Sequence, residues 1–192
     1  VCSPDLTHPV YVETALSKGK FVLCEFPLCE DPETAASMLS TGRLHVEHIE
    51  LLTGTATALR GLQGVSSASM RFTGPPRVSF SPGHAQVARL HRVLDCLGSP
   101  LGVDEGLVYP DFTCTLSFGE GPRCTEFRVQ NASTWHQRNG TLTCDGVEVK
   151  TSAGPLFLTD QLAATARFLD GAAPYVRDAR VVEVLALANL LS

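Results

Sequence analysis

The sequence predicts an α+β fold in which a fragment of an α/β layer, residues 1–42, precedes a mostly antiparallel sheet domain with helices on one face, residues 43–192. Two patterns predict it. Within residues 7–24, a helical pattern leads directly into a continuous apolar run, as is typical of a parallel α/β unit. Within residues 107–150, short apolar or alternating runs are separated by Gly and Pro turns, as is typical of antiparallel strands. Helical patterns that follow these strands predict the helices on one face of the sheet.

The first unit is a helix followed by a strand. Thr7 is expected to cap a helix that has Pro9 in its first turn and Gly19 just past its end. The apolar run Phe21–Cys24 predicts a strand covered on both faces of a parallel sheet. Val1–Cys2 resembles the end of an earlier strand of the same kind, so the unit predicts a right-handed strand–helix–strand connection.

The next predicted elements are a short helix, a strand, a second helix and a second strand: Pro32–Leu39, Arg43–Glu47, Thr53–Leu62 and Val65–Phe72. A better-formed helix is predicted over Gly83–Gly98, where apolar residues form one stripe. His91 borders that stripe, whereas Arg92 is expected to face solvent. Two helices, Thr159–Asp170 and Val176–Leu191, are predicted at the end of the chain, and the second is apolar enough to be buried.

Composition excludes several function classes. The chain has 192 residues, 44% hydrophobic and 18% charged, with a formal charge of −5, which describes a globular domain without an electrostatic footprint for nucleic acid. No apolar run reaches the roughly 18 residues of a membrane span. Seven cysteines without a CxxC pair indicate reduced thiols in a cytoplasmic protein, and no Cys/His spacing indicates a zinc site. The start at Val1 has no features of a signal peptide and is expected to lie in mid-fold.

The predicted parallel layer indicates where a ligand could bind. Ligands of such sheets lie beyond the carboxyl ends of the strands. Here those ends are followed by the loop 3–8 and by Glu25–Phe26–Pro27. The Ser3–His8 loop offers hydroxyls, a carboxylate and helix N-terminal amides that suit a polar or anionic ligand. The alternative is helix capping by Thr7, with Asp5 as a turn residue.

The segment His45–Glu50 concentrates two imidazoles and two carboxylates. As a strand it would place His45 and Glu47 on one face and His48 on the other; as a helix, Glu47 and Glu50 would share a face. A carboxylate pair lining a cleft and a solvated strand edge are both open interpretations, and a metal site is a weaker one.

Two residues of the helix over 83–98 are further candidates. His91 is either a packing residue or a proton donor at a cleft, because imidazole titrates near neutral pH. Arg89 would meet an anionic substrate group or lie at the surface. The sequence contains no GxSxG, Walker, HExxH or GxGxxG motif.

The order of motifs in the first 50 residues resembles the Gfo/Idh/MocA family of NAD(P)-dependent oxidoreductases. In that family a strand ends in a T/S-P-N-x-x-H turn, and a later strand runs V-L-x-E-K-P; here Ser3–His8 and Val22–Pro27 occupy those places. The run Leu44–Leu52 and the triplet Arg71–Phe72–Thr73 are similar to the biliverdin reductase branch of the family.

The resemblance implies a Rossmann domain followed by a sheet domain, with NADPH or NADH and the substrate between them. The substrate of that branch is a tetrapyrrole, whose central methine accepts the hydride. The implied cofactor-binding residues are Ser3, Asp5, Leu6, Thr7, His8, Glu25, Phe26 and Pro27. The implied catalytic residues are Phe26, Glu47, Glu50, Arg89 and His91. The family also implies a homo-oligomer formed through the sheet face.

Several positions depart from the family pattern. Phe26 stands where the general family has Lys and the biliverdin reductases have Tyr. His91 matches the His of a D-x-x-x-H helix motif, but Val87 replaces its Asp. Glu183–Val184 replaces a zinc-associated His-Cys pair, so no metal is expected. A βαβ unit takes about 30 residues, so about 60 to 75 residues with the glycine loop are expected to be missing.

These departures leave three functions open. The first is a reductase similar to biliverdin reductase, seen as a truncated chain. The second is a non-catalytic binding or scaffold protein that has lost the coenzyme half. The third is a sugar or dihydrodiol dehydrogenase of the same family, favoured by His91 and disfavoured by Phe26.

Overall fold

The computed structural model describes residues 1, 3, 5–52, 54–62, 67–74, 87–100, 102–108, 111–117, 123–131, 140–144, 147–149 and 157–191. Side chains are described in the first 62 residues, in the helix that contains His91 and in the two C-terminal helices, with a few positions excepted. Within the described residues, no helix is long and apolar enough to cross a membrane.

A small parallel sheet forms the first part of the fold. Strand β1, Val22–Glu25, pairs in parallel with β2, Leu44–Glu47, so that the two strands end side by side at Glu25 and Glu47. The backbone of Val1 lies on the other side of β1, because the Glu25 N–H donates to the Val1 carbonyl at 3.1 Å and the Val1 nitrogen donates to the Leu23 carbonyl. The predicted position of Val1 beside this strand is confirmed.

Two helices pack on this sheet. Helix α1, His8–Ser17, follows a 3₁₀ turn at Asp5–Thr7, and helix α2, Pro32–Leu39, has the predicted bounds. The Asp31 carboxylate caps α2 by accepting the Thr34 N–H at 2.8 Å. Both helices end where glycine adopts a positive φ, 71° at Gly19 and 64° at Gly42, as predicted from the glycine positions.

The prediction that β1 is covered on both faces was wrong. Val22 and Cys24 are buried, whereas Leu23 is 37% exposed and Glu25 is exposed. One face of the strand packs on the core and the other faces solvent. The apolar composition of the run therefore overstated its burial.

A third helix and a fourth surround the carboxyl ends of the two strands. A 3₁₀ helix, Ile49–Leu52, leads into α3, Gly54–Arg60, and α4 spans Val87–Leu97 within the predicted range, of which residues 83–86 lie outside the described part. Arg92 was expected at the surface, but only 4% of it is exposed. Its charge is paired with Glu50 at 3.5 Å, which offsets part of the cost of burying the guanidinium group.

The remaining strands are β3, Ser67–Gly74; β4, Gly102–Val108; β5, Asp111–Ser117; β6, Arg123–Asn131; β7, Gly140–Cys144; and β8, Val147–Val149. β3 pairs with β6 in parallel and with β7 antiparallel, β7 pairs with β8 antiparallel, and β4 pairs with β5 antiparallel. The four-stranded sheet of β6, β3, β7 and β8 is thus mixed. An antiparallel sheet domain over 43–192 stays a prediction.

The pairing of β1 with β2 crosses the predicted domain boundary between residues 42 and 43. β2 lies in the same parallel sheet as β1. The two C-terminal helices pack near this sheet: α5, Phe157–Leu169, contacts β2, and α6, Asp178–Leu190, packs against α2 and α4. The predicted burial of α6 holds for one face of the helix, whereas Leu190 is 62% exposed.

The three cysteines whose side chains the structure describes, Cys24, Cys29 and Cys96, are free thiols. Burial raises the pKa of Cys29 and Cys96 to about 11, so both thiols stay protonated at neutral pH. They behave as small apolar residues, as the sequence predicted.

Candidate functional site

The loops that follow the first two strands meet at one edge of the parallel sheet. His8 at the start of α1 joins them: its Nδ1 lies 2.7 Å from the Pro27 carbonyl oxygen, and its Nε2 lies 2.9 Å from the Ser3 carbonyl oxygen. The His8 side chain is fully buried. The prediction that both loops open on the same edge is therefore confirmed.

Three aromatic rings stack directly beyond β1. The Phe26 ring lies 4.7 Å from the ring of His48 and 4.6 Å from the ring of His91, with interplanar angles of 18° and 27°. The two imidazoles are themselves stacked, and their Nδ1 atoms are 2.8 Å apart. One Nδ1 therefore donates and the other accepts, so the pair shares a single proton along this contact.

Burial controls the charge of this stack. His91 is fully buried, and its burial, followed by the proximity of His48, lowers its pKa well below the ordinary value of 6.5. Phe26 is 5% exposed. At neutral pH the stack holds a neutral imidazole at His91 against an apolar ring.

Tyr175 connects the end of β2 to the C-terminal region. Its hydroxyl donates to Glu47 Oε1 at 3.0 Å and accepts the His48 N–H at 2.8 Å. Glu47 is 4% exposed, and burial raises its pKa while the Tyr175 hydrogen bond opposes that rise. Because both hydrogen-bonding directions of the hydroxyl are in use, Tyr175 positions Glu47 and His48.

His45 lies on the same face of β2 as Glu47, as the strand interpretation predicted. Its ring packs 4.9 Å from Phe168 and 5.3 Å from Tyr175, and it is fully buried. Neither ring nitrogen has a hydrogen-bond partner among the described residues, and burial lowers the pKa of His45. The strand interpretation is therefore correct for His45 and Glu47, and His48 follows the end of the strand.

We expect the buried histidines to make the protein less stable in acid. Both His45 and His91 have a folded-state pKa below 6.5, so the unfolded chain binds more protons as pH falls through 6.5. Their stabilising contribution is full above that pH and declines below it, by at most about 1.4 kcal/mol per pH unit for each histidine. Urea unfolding at pH 7.5 and pH 5.5 measures the difference.

His45→Leu isolates one histidine in this experiment. The substitution removes a buried polar ring whose nitrogens have no described hydrogen-bond partner. We therefore expect the free energy of unfolding at pH 5.5 to rise by about 1 kcal/mol, and its difference between pH 7.5 and pH 5.5 to become smaller. Glu47 has the opposite effect on the pH dependence of stability. Because its pKa is raised in the folded state, its contribution to the free energy of unfolding falls as pH rises above 4.5. An unchanged pH dependence in His45→Leu would show that His45 does not titrate on unfolding.

The predicted cofactor residues separate into two groups. The first group is accessible to solvent: Leu6 is 56% exposed, Glu25 is exposed at the end of β1, and Asp5 is partly exposed. The others are buried or bonded within the edge: His8, Phe26 and Pro27 are buried, and Thr7 Oγ1 donates to Ser3 Oγ at 2.9 Å. Thr7 holds the N-cap position of α1 without a side-chain cap hydrogen bond. Cofactor binding by this set stays a prediction.

The predicted catalytic residues are brought together only in part. Phe26 and His91 both contact His48, and the Tyr175 hydroxyl links Glu47 to the backbone of His48. Glu50 pairs instead with Arg92, so Glu47 and Glu50 have different partners rather than forming a carboxylate pair. Arg89 lies in α4, and its side chain is outside the described residues.

Sequence reasoning missed Tyr175 as a member of this site, and it named His48 without giving it a role. His48 is in the run that carries the family resemblance, so a signal existed for it. Tyr175 is 128 residues from Glu47, and no local pattern relates the two. Among the described residues, no group of three His, Cys, Asp or Glu side chains could hold a metal ion.

Comparison with solved structures identifies the fold. The biliverdin reductase of Synechocystis sp. PCC 6803, in complex with biliverdin and NADP+, is 23% identical with a TM-score of 0.73, over 99% of this chain and 76% of that chain. The WlbA (WbpB) dehydrogenase of Thermus thermophilus, in complex with NAD and α-ketoglutarate, is 17% identical with a TM-score of 0.74, over 99% and 70%. The UDP-N-acetylglucosamine 3-dehydrogenase GnnA of Acidithiobacillus ferrooxidans is 16% identical with a TM-score of 0.74, over 98% and 75%.

The chain has the fold of these oxidoreductases. They are of the Gfo/Idh/MocA type, so the likeness agrees with the resemblance found in the sequence. No family model and no curated protein matches the chain. At these identities the likeness establishes the fold, and the activity is inferred separately from the site.

Proposed function

We propose that the chain carries the substrate-facing part of an NAD(P)H-dependent reductase that acts on an open-chain tetrapyrrole of the biliverdin type. The observation that carries this proposal is the meeting of Phe26, His48, His91 and the Glu47–Tyr175 pair at the carboxyl edge of the parallel sheet, where ligands of this fold class bind. The likeness to a biliverdin reductase solved with biliverdin and NADP+ supports the choice of substrate.

The residues of the edge fit a nicotinamide cofactor. Leu6 and Glu25 are exposed there, beside the first turn of α1, and they would border the cofactor, NADPH or NADH. When bound, that cofactor supplies a hydride to the central methine carbon of the substrate. A proton taken up at a neighbouring pyrrole nitrogen balances the two-electron reduction. Glu47, whose pKa burial raises, is the described carboxyl group of this edge best suited to hold a proton, and Tyr175 fixes its position.

The structure favours a reductase over a sugar or polyol dehydrogenase. Oxidation of a hydroxyl group needs a base that reaches its proton, and the general family has Lys at the position of Phe26. His91, the alternative base, is stacked on Phe26 and hydrogen-bonded to His48, and burial lowers its pKa well below 6.5, which makes it a weak base. Reduction of a conjugated methine needs no such base. Polyol oxidation by a Phe26→Lys variant would favour the dehydrogenase instead.

The decisive experiment measures the reduction of biliverdin by NADPH and by NADH, catalysed by the natural protein. We expect loss of biliverdin absorbance and growth of bilirubin absorbance, with one cofactor oxidised for each substrate reduced. Glu47→Gln is expected to lower kcat about 10²-fold or more with little change in cofactor affinity, because it removes the proton-holding carboxyl group. Glu33→Gln, at an exposed position in the first turn of α2, is the matched control and should leave both values unchanged.

Cofactor binding is measured alongside turnover by calorimetry. Zero turnover with bound cofactor would contradict the proposal. Tight tetrapyrrole binding without any NAD(P)H binding would instead support a non-catalytic binding protein. The close packing of Phe26 and His91 is compatible with that function too.

A further inference from the structure

An open cleft of about 420 Å³ lies beside the candidate site. Leu52, Arg60, Asp95, Tyr175 and Arg177 line it. The volume is within the range of small-molecule pockets, about 300–1,000 Å³. Four separate segments contribute to the lining, so the fold assembles this surface from residues that are far apart in sequence.

The cleft carries a net positive charge at its centre. Asp95 accepts a hydrogen bond from Arg60 at 2.8 Å and from Arg177 at 3.0 Å, and its side chain is 6% exposed. The two arginine side chains are 42% and 57% exposed. One carboxylate therefore compensates two guanidinium groups in a chain whose overall charge is −5.

Both guanidinium groups retain hydrogen-bonding capacity toward a ligand. A guanidinium has five N–H donors. Arg60 uses Nη1 toward the Leu51 carbonyl at 2.9 Å and Nη2 toward Asp95, and Arg177 uses Nε and Nη2 toward Asp95. Guanidinium groups with remaining donors suit a carboxylate, which accepts two parallel N–H bonds.

The cleft adjoins the candidate site through one shared residue, Tyr175. Asp95 follows His91 by four residues in α4, so the two lie on the same helix face, about 6 Å apart along the axis. Tyr175 belongs to both places: it lines the cleft, and its hydroxyl contacts Glu47 and His48. A ligand held at the carboxyl edge of the sheet could therefore extend a flexible acidic arm into the cleft.

We propose that the cleft lined by Arg60, Asp95 and Arg177 binds a carboxylate of the substrate, namely a propionate side chain of the tetrapyrrole. This inference rests on the proposed function for the identity of the substrate. The carboxylate accepts donors from the exposed arginines, while Asp95 keeps both guanidinium groups in place. Leu52 supplies an apolar contact for the methylene carbons of the arm.

The test compares biliverdin with its dimethyl ester, in which both carboxylates are masked. Arg177→Gln and Arg60→Gln are each expected to raise the Kd and KM for biliverdin about 10-fold and to leave the affinity for NADPH unchanged. The ester is expected to bind the wild-type protein about 10-fold more weakly than biliverdin does. Its affinity for the two arginine variants should be the same as its affinity for the wild-type protein. Arg43→Gln, at the opposite end of β2, is the matched control and should leave binding of both compounds unchanged.

A second measurement separates this inference from the proposed function. Arginine ¹⁵N-labelled protein is titrated with glutarate, a simple dicarboxylate, and the Arg177 Nε–H signal is followed. A saturable shift that Arg60→Gln abolishes is expected, and it would support the carboxylate site even if biliverdin were not reduced. Absence of that shift, or equal losses for biliverdin and its ester in the variants, would overturn the carboxylate site while leaving the reductase assay to decide the function.

Discussion

Replacement of Phe26 by alanine is expected to lower the free energy of unfolding by about 3–5 kcal/mol, because the ring is buried and the cavity would collapse only in part. The ring is 5% exposed and stacks on both His48 and His91. Its removal would therefore leave the two imidazoles without their apolar neighbour. Urea denaturation at pH 7.5 measures the loss.

Phe21→Ala is the matched control for this substitution. Phe21 lies before the opposite end of β1 and is 61% exposed, and its described ring contact is an edge-to-face pair with Phe168 at 6.2 Å. Loss of that pair is expected to lower stability by about 0.5–1.5 kcal/mol. Equal losses in the two variants would show that Phe26 does not form part of the packed core of the site. In the reductase assay, Phe26→Ala should also lower kcat, whereas Phe21→Ala should not.

Replacement of His8 by alanine is expected to lower the free energy of unfolding by about 2–4 kcal/mol. The substitution removes a fully buried ring whose two nitrogens lie 2.7 and 2.9 Å from the carbonyl oxygens of Pro27 and Ser3, and it leaves the carbonyl that accepts the ring N–H without that donor. The two loops of the candidate cofactor edge would separate. A loss of cofactor affinity is therefore expected to accompany the loss of stability.

Two further variants make the His8 result interpretable. His8→Gln places both of its N–H donors on one nitrogen, whereas His8 presents ring nitrogens at two separate points, so we expect the amide to satisfy one carbonyl only and the loss of stability to be intermediate. Val10→Ala, in the same turn of α1, changes a residue that is 63% exposed and should shift stability by no more than about 0.5 kcal/mol. If His8→Gln and His8→Ala were equally destabilised, the bridge between the loops would not be the source of the effect.

Local elements of the fold followed from the sequence where one short-range signal dominated. α2 spans Pro32–Leu39 and ends before Gly42, as predicted, because proline and glycine each act within one helical turn; the Asp31 cap was seen only in the structure. Alternation predicted the strand over residues 43–47, where β2 spans Leu44–Glu47, and Pro9 marked the start of α1, although Thr7 makes no side-chain cap hydrogen bond. Local patterns failed to predict the burial of β1 and of Arg92, since burial depends on which distant elements cover a face.

The sequence by itself determined the helices and strands of the parallel unit, the convergence of the two loops at its carboxyl edge and the resemblance to an oxidoreductase family. Only the tertiary structure decided what meets at that edge. His48 and His91 are 43 residues apart, and Glu47 and Tyr175 are 128 apart, yet each pair is hydrogen-bonded. Periodicity reports which face of an element is apolar, and it carries no information on which polar side chain of another element lies opposite. That complementarity is set by the packing of whole helices against the sheet.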